Sequence, residues 1–150
     1  MISGQNSKYV IVTSPAAIVD AGSFTTNSID TAGYDYLQVI VTVGALDIAM
    51  TALKLQTSDT DGSYGDLTGA VFGTSTNIDG STSALPSATD DNKLFVIEVD
   101  LRGKKRYFDL VATMGDGSVG GFVAAVAVLS KGEISPLTAA ASGCDEILRV

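Results

Sequence analysis

The sequence predicts an all-β domain of antiparallel strands, and three observations carry that prediction. Apolar residues recur with period two in long β-branched runs, turn chemistry separates the runs, and no window holds an apolar stripe at the helical period. Residues 36–43 set Leu37, Val39, Val41 and Val43 on one face. Residues 51–57 alternate as well, with Leu53 and Leu55 inward and Lys54 and Gln56 outward. Residues 94–101 place Phe95, Ile97, Val99 and Leu101 on one side, and a strand over 106–113 follows a short basic turn at Gly103 and Lys104. Residues 119–129 are apolar on both faces, which predicts a central strand covered on both sides. Shorter candidates at 9–13, 22–26 and 67–72 bring the total to about eight strands.

The connections read as turns. Asp59-Thr60-Asp61-Gly62 and Met114-Gly115-Asp116-Gly117 place Asp-Gly pairs where a hairpin needs positive φ. With no crossover helices, the strands imply antiparallel sheets, packed as a sandwich or closed as a barrel. The stretch from Thr74 to Asn92 is rich in Ser, Thr, Asp and Gly, and its length marks it as functional or mobile. Residues 1–8 and 133–150 read as extended terminal arms, the second ending in Ile147-Leu148-Arg149-Val150. The 150 residues fit one domain spanning 1–150.

Composition narrows the partner classes. A hydrophobic content of 45% with only 17% charged residues leaves two sources for the remaining surface. Either loop hydroxyls and glycines supply it, or a partner covers apolar surface. A net charge of −8 argues against nucleic acid and anionic membranes, both of which are engaged through Lys and Arg. The single cysteine, Cys144, permits no internal disulfide. The first eight residues lack a basic region followed by an apolar stretch, so no signal peptide is expected. The longest apolar run, residues 122–129, falls well short of the roughly 20 residues of a spanning helix. Synthesis and assembly in a host cytoplasm are expected.

No residue set suggests catalysis. Histidine is absent, which removes the commonest general base and most transition-metal sites. Cys144 lacks an imidazole partner and reads as a free thiol near a terminus. Gly115, Gly117 and Gly120 match a dinucleotide-binding fingerprint in spacing, but a strand follows them where a helix N-terminus is required, so they serve a hairpin. Asp59, Asp61 and Asp66 resemble a calcium loop, but the position that needs a bidentate Glu is Ala70. A satisfied Asp-rich turn is expected there, with calcium at 59–66 left open. Glu98 and Asp100 share the outward face of one strand with Asp109 opposite, the one carboxylate set suited to glycoside hydrolysis. The chain has no Trp for sugar stacking, although Tyr34, Tyr36 and Tyr64 keep a carbohydrate-binding reading in view. No enzyme activity, cofactor or metal is expected. Arg102, Lys104, Lys105 and Arg106 form the one notable charge cluster, either a solvated turn that discourages edge aggregation or a contact with an acidic partner surface.

Several segments together resemble the small β-sandwich decoration, or cement, proteins of tailed bacteriophages. The resemblance rests on residues 53–64 (LKLQTSDTDGSY) leading to 66–70 (DLTGA), on 95–107 (FVIEVDLRGKKRY) and on the strand over 117–129. It covers roughly residues 36–132 and is one of pattern, not of a catalytic signature. Relatives often carry Trp after the Asp-Gly turn where this chain has Tyr64, and the arms fall outside the match. The resemblance implies a jelly-roll-like sandwich acting as a homotrimer. It implies a virion protein on the capsid surface, binding the phage major capsid protein between hexamers and pentamers, with no nucleic acid or membrane partner. Contacts are then expected at Arg102, Lys104, Lys105 and Arg106 and at the apolar arm tip, Ile147, Leu148 and Val150. The alternative is a receptor- or glycan-binding virion module, or a tail or neck component.

Overall fold

The computed structural model describes residues 3–133 and 138–148. Its strands are β1 (Lys8–Thr13), β2 (Ile29–Asp30), β3 (Tyr36–Leu46), β4 (Met50–Ser58), β5 (Gly65–Val71), β6 (Leu94–Asp100), β7 (Tyr107–Met114) and β8 (Gly121–Ser130). They form two four-stranded sheets in the orders β1-β8-β3-β6 and β2-β7-β4-β5, with every pairing antiparallel. The pairs β4–β5, β3–β6, β2–β7 and β1–β8 nest inside one another and fall alternately in the two sheets. A long hairpin folded at the β4–β5 turn and rolled on itself produces that order, which is a jelly roll.

The period-two pattern is what sandwiches the core. Val39, Val41, Val43, Leu53, Leu55, Phe108, Ala112, Ala127 and Leu129 are fully excluded from water between the sheets. Each large apolar side chain buried in this way contributes about 1.5–3 kcal/mol relative to exposure. In β7 the alternation is complete, with Phe108, Leu110, Ala112 and Met114 inward and Tyr107, Asp109, Val111 and Thr113 outward. One inward polar atom lacks a partner among the described residues: the Thr13 hydroxyl, beside the bulge that breaks the β1–β8 register.

Four expectations need correction or refinement. The strand expected at 22–26 makes only an isolated bridge, Ser23 to Thr113, and the paired residues are Ile29–Asp30. The chain crosses toward the other sheet at Asn27, whose backbone N–H donates to the Val12 carbonyl (2.8 Å) and whose side-chain amide donates to the Ile11 carbonyl (3.0 Å). That excursion interrupts continuous pairing with β7. The 119–129 segment is central in its sheet but covered on one side only, because the strands make two layers and, among the described residues, no third lies over β8.

The Ser/Thr-rich segment after β5 is built as a small hairpin with a bridge between Thr76 and Thr82. The Asn77 side chain accepts from the Asp79 and Ser81 amides, closing its tip. Two segments of the arms, 3–6 and 140–143, fold back on the body as short turns. Residues Ser3–Asn6 form a 3-10 turn tied to Gly132 by hydrogen bonds in both directions, and Lys8 already belongs to β1. A second 3-10 turn, Ala140–Ser142, buries Ser142, and Gly143 (φ 81°) lies against the Tyr9 carbonyl of β1.

Candidate docking face

The two outer faces of the sandwich differ in chemistry. On the β2-β7-β4-β5 sheet the outward side chains are mostly polar and engaged with one another, with Val71 and Val111 flanking Lys54. Asp66 accepts from Lys54 (2.8 Å) and Gln56 (2.6 Å), and Asp109 accepts from the Thr26 hydroxyl (2.9 Å). The hydrogen bond from Gln56, reinforced by that from Lys54, holds the Asp66 carboxyl below the usual carboxylate range. This face has the chemistry of a solvated surface.

The outer face of the β1-β8-β3-β6 sheet is apolar across its middle. Register sets Ile11 beside Val126, Val126 beside Ile40, and Ile40 beside Val96, an aliphatic row crossing all four strands. Ile11 is 58% exposed, Val96 41% and Val126 38%, against 0% for the inward Val39 and Ala127 on the same strands. The next row holds Ala124, Thr42 and the exposed Leu94. Phe122 extends the patch along β8, opposite Gly44, where a Cβ would press on the Phe122 Cβ. Toward the other end the face turns polar. Gln38 donates to Glu98 (2.7 Å), and the Lys131 ammonium sits 4.8 Å over the Tyr36 ring. A shallow groove there is lined by Tyr36, Gln38, Glu98, Asp100, Val128 and Ser130. Contiguous aliphatic surface with a polar margin, on a rigid sheet, is the pattern of a docking surface.

The residues singled out in the sequence fall elsewhere. Arg102 is drawn onto Asp100, and Arg106 makes a two-pronged contact with Asp30 of β2 (2.7 Å each). Lys105 lies 3.9 Å from Asp59, and this β6–β7 turn lies at the end of the sandwich away from Phe122 and Leu94. The Arg106 hydrogen bonds lower the Asp30 carboxyl below its ordinary value, against some burial. Ile147 is half-buried and Leu148 exposed, while Val150 lies outside the described residues.

Asp59, Asp61 and Asp66 turn to separate protein partners, Asp61 to Ser28 and Tyr64, and among the described residues no acidic group converges as a metal site. Asp109 belongs to the opposite outer face from Glu98 and Asp100, so the three carboxylates do not face one another. Tyr34 packs on the core, Tyr36 lies on the outer face under Lys131, and Tyr64 belongs to the β4–β5 turn, so the tyrosines form no shared platform. Gly115, Gly117 and Gly120 lie in the connection from β7 to β8, which crosses between the two sheets, so they serve an inter-sheet loop and not the hairpin expected from the sequence. The aliphatic row escaped sequence reasoning although its signal was present. The two-sided apolarity of 119–129 marks an exposed apolar face just as well as a doubly covered strand.

Among the described residues no helix is long and apolar enough to cross a membrane. No family model matches the chain, and the search of curated proteins gave no significant match. Among solved structures the chain is similar to the crystal structure of the SPBc2 prophage-derived protein YomS. The TM-score is 0.43 at 15% identity, covering 82% of this chain and 93% of that one.

Proposed function

We propose that the chain is a virion structural protein that seats the outer face of the β1-β8-β3-β6 sheet on the outside of a bacteriophage capsid and stabilises the major capsid protein lattice. The observation that carries the reading is the aliphatic row Ile11–Val126–Ile40–Val96, left uncovered on a rigid jelly roll whose other face is polar. The resemblance to decoration proteins supplies the identity of the surface it meets.

Area argues for several copies acting together. Four strands about 4.8 Å apart and three rows of roughly 7 Å give on the order of 400 Å². A standard stable interface buries about 800 Å² on each partner. One face alone therefore holds weakly. A homotrimer that engages three faces at once raises the effective concentration of the second and third contacts and holds firmly. Binding the assembled lattice in preference to loose subunits then stabilises it by mass action. The basic turn Arg102–Arg106 and the arm tip are secondary contacts in this reading.

Imaging of purified particles tests the proposal. The expected result is density for the chain on the capsid exterior, arranged in threes, with the Ile11–Val96 row turned toward the shell. Absence of the chain from particles, or a shell contact made through the Lys54–Asp66 face, overturns it.

A further inference from the structure

The end of the sandwich where β8 begins carries a second surface, built from four connections: residues 14–22, 47–49, 86–93 and 115–120. They are locked to one another. The Asp47 carboxylate accepts from the Ser118 and Val119 amides (2.6 Å each), and the Asp47 amide donates to the Gly120 carbonyl (3.3 Å). Asp20 accepts from the Gly117 amide (2.9 Å), Ala21 N–H donates to the Gly115 carbonyl (3.0 Å), and Asp91 accepts from the Leu46 amide (2.9 Å). Close approach holds the rest. A Cβ at Gly120 would overlap the Val19 carbonyl, one at Gly117 the Asp47 carboxylate, and one at Gly115 the Ala49 carbonyl. Loops fixed in this way lose little freedom on binding.

This framework presents apolar side chains to water. Ile18, Ile48 and Val119 are all substantially exposed, and Phe122 adjoins them on β8. Charge surrounds them with one sign. The four connections hold Asp20, Asp47, Asp90, Asp91 and Asp116 against a single cation, Lys93, a net −4 within a chain of net −8. Lys93 is itself paired with Asp90 at 2.8 Å. The basic turn 102–106 sits at the opposite end, where Asp100, Asp59 and Asp30 balance Arg102, Lys105 and Arg106. The field of the acidic end attracts cations and repels phosphate and anionic headgroups.

We propose that this end binds a protein segment in which aliphatic side chains alternate with Lys or Arg, the aliphatic groups meeting Ile18, Ile48, Val119 and Phe122 and the cations meeting the aspartates. The complement is one of charge and apolarity together, and it holds whatever the aliphatic row on the sheet face contacts.

The test is an amide chemical-shift titration of the full chain with a short synthetic peptide of alternating Lys and Leu, alongside a Glu/Leu and a Lys/Ser peptide. The expected result is saturable shifts confined to residues 18–22, 45–48 and 116–122 with the Lys/Leu peptide alone, weakening as salt is raised. Val119→Ser and Asp116→Lys, each with an unchanged melting temperature, are expected to weaken binding about tenfold, the size of one interface anchor. Equal shifts with Lys/Ser, shifts at Ile11–Val96 or at 102–106, no shifts, or self-association of the chain through these same amides would each overturn it.

Discussion

Thr13, Gly120 and two surface aspartates show how single residues set stability in this fold. The Thr13 hydroxyl is buried beside the β1 bulge with no protein partner among the described residues, so it carries a desolvation cost with no hydrogen bond to offset it. Thr13→Val keeps the shape and removes that cost, and a gain of about 1 kcal/mol in urea unfolding is expected. Gly120 has φ +88° and sits against the Val19 carbonyl, so Gly120→Ala meets both backbone strain and a backbone clash. A loss of roughly 2–3 kcal/mol is expected, larger than for Gly62→Ala, where φ is +95° but the space is open. Asp90 is held at about 2 chiefly by Lys93, and Asp100 at about 2 chiefly by Arg102. Carboxyls depressed in the folded state stabilise it above their unfolded value near 4 and lose that contribution as pH falls toward 2. Melting temperature is therefore expected to be flat from pH 8 to about 5, in a chain without histidine, and to fall between about pH 4 and 2. Asp90→Asn with Asp100→Asn should flatten that acid limb, and a transition near pH 6 would contradict the assignment.

At the scale of the strand, the question is which face each alternation turns inward. Where outward residues are polar, as with Lys54 and Gln56 on β4, sequence alone placed the strand and its buried face. Where both sets are apolar, as on β8, period two does not say whether the second face meets protein or water, and the layer count had to decide it. The β2 region was misplaced for a different reason. Asn27 carries the chain toward the neighbouring sheet, and the Ile11 and Val12 carbonyls it reaches are remote enough in sequence to leave no local trace. The docking row was hidden in the same way, since Ile11, Ile40, Val96 and Val126 become neighbours only through strand register. The inner and outer faces of β8 therefore predict opposite behaviour. Leu129→Ala, fully buried, is expected to cost about 2–5 kcal/mol in denaturant unfolding. Val126→Asp, on the open face, is expected to change stability by about 1 kcal/mol or less. A large loss for Val126→Asp would show that something covers that face within the chain.

The whole molecule is a nested hairpin, with β4–β5 innermost and β1–β8 joining chain segments far apart. Such long-range pairing predicts folding in milliseconds to seconds, well behind a helical protein of this size. It also yields a body whose edges, ends and faces point in different chemical directions. One face is mostly polar, one aliphatic across its middle and one end acidic, and the reading as a shell-binding subunit depends on the contrast between the two faces. The most direct test challenges capsids lacking the chain with heat, before and after adding it back. Wild-type protein is expected to raise the temperature at which the particles rupture. A variant carrying Ile11→Asp and Val126→Asp, folded by its melting curve, is expected to leave that temperature unchanged. Wild-type protein that neither binds nor protects the particles, or a double variant that protects them fully, would contradict the account.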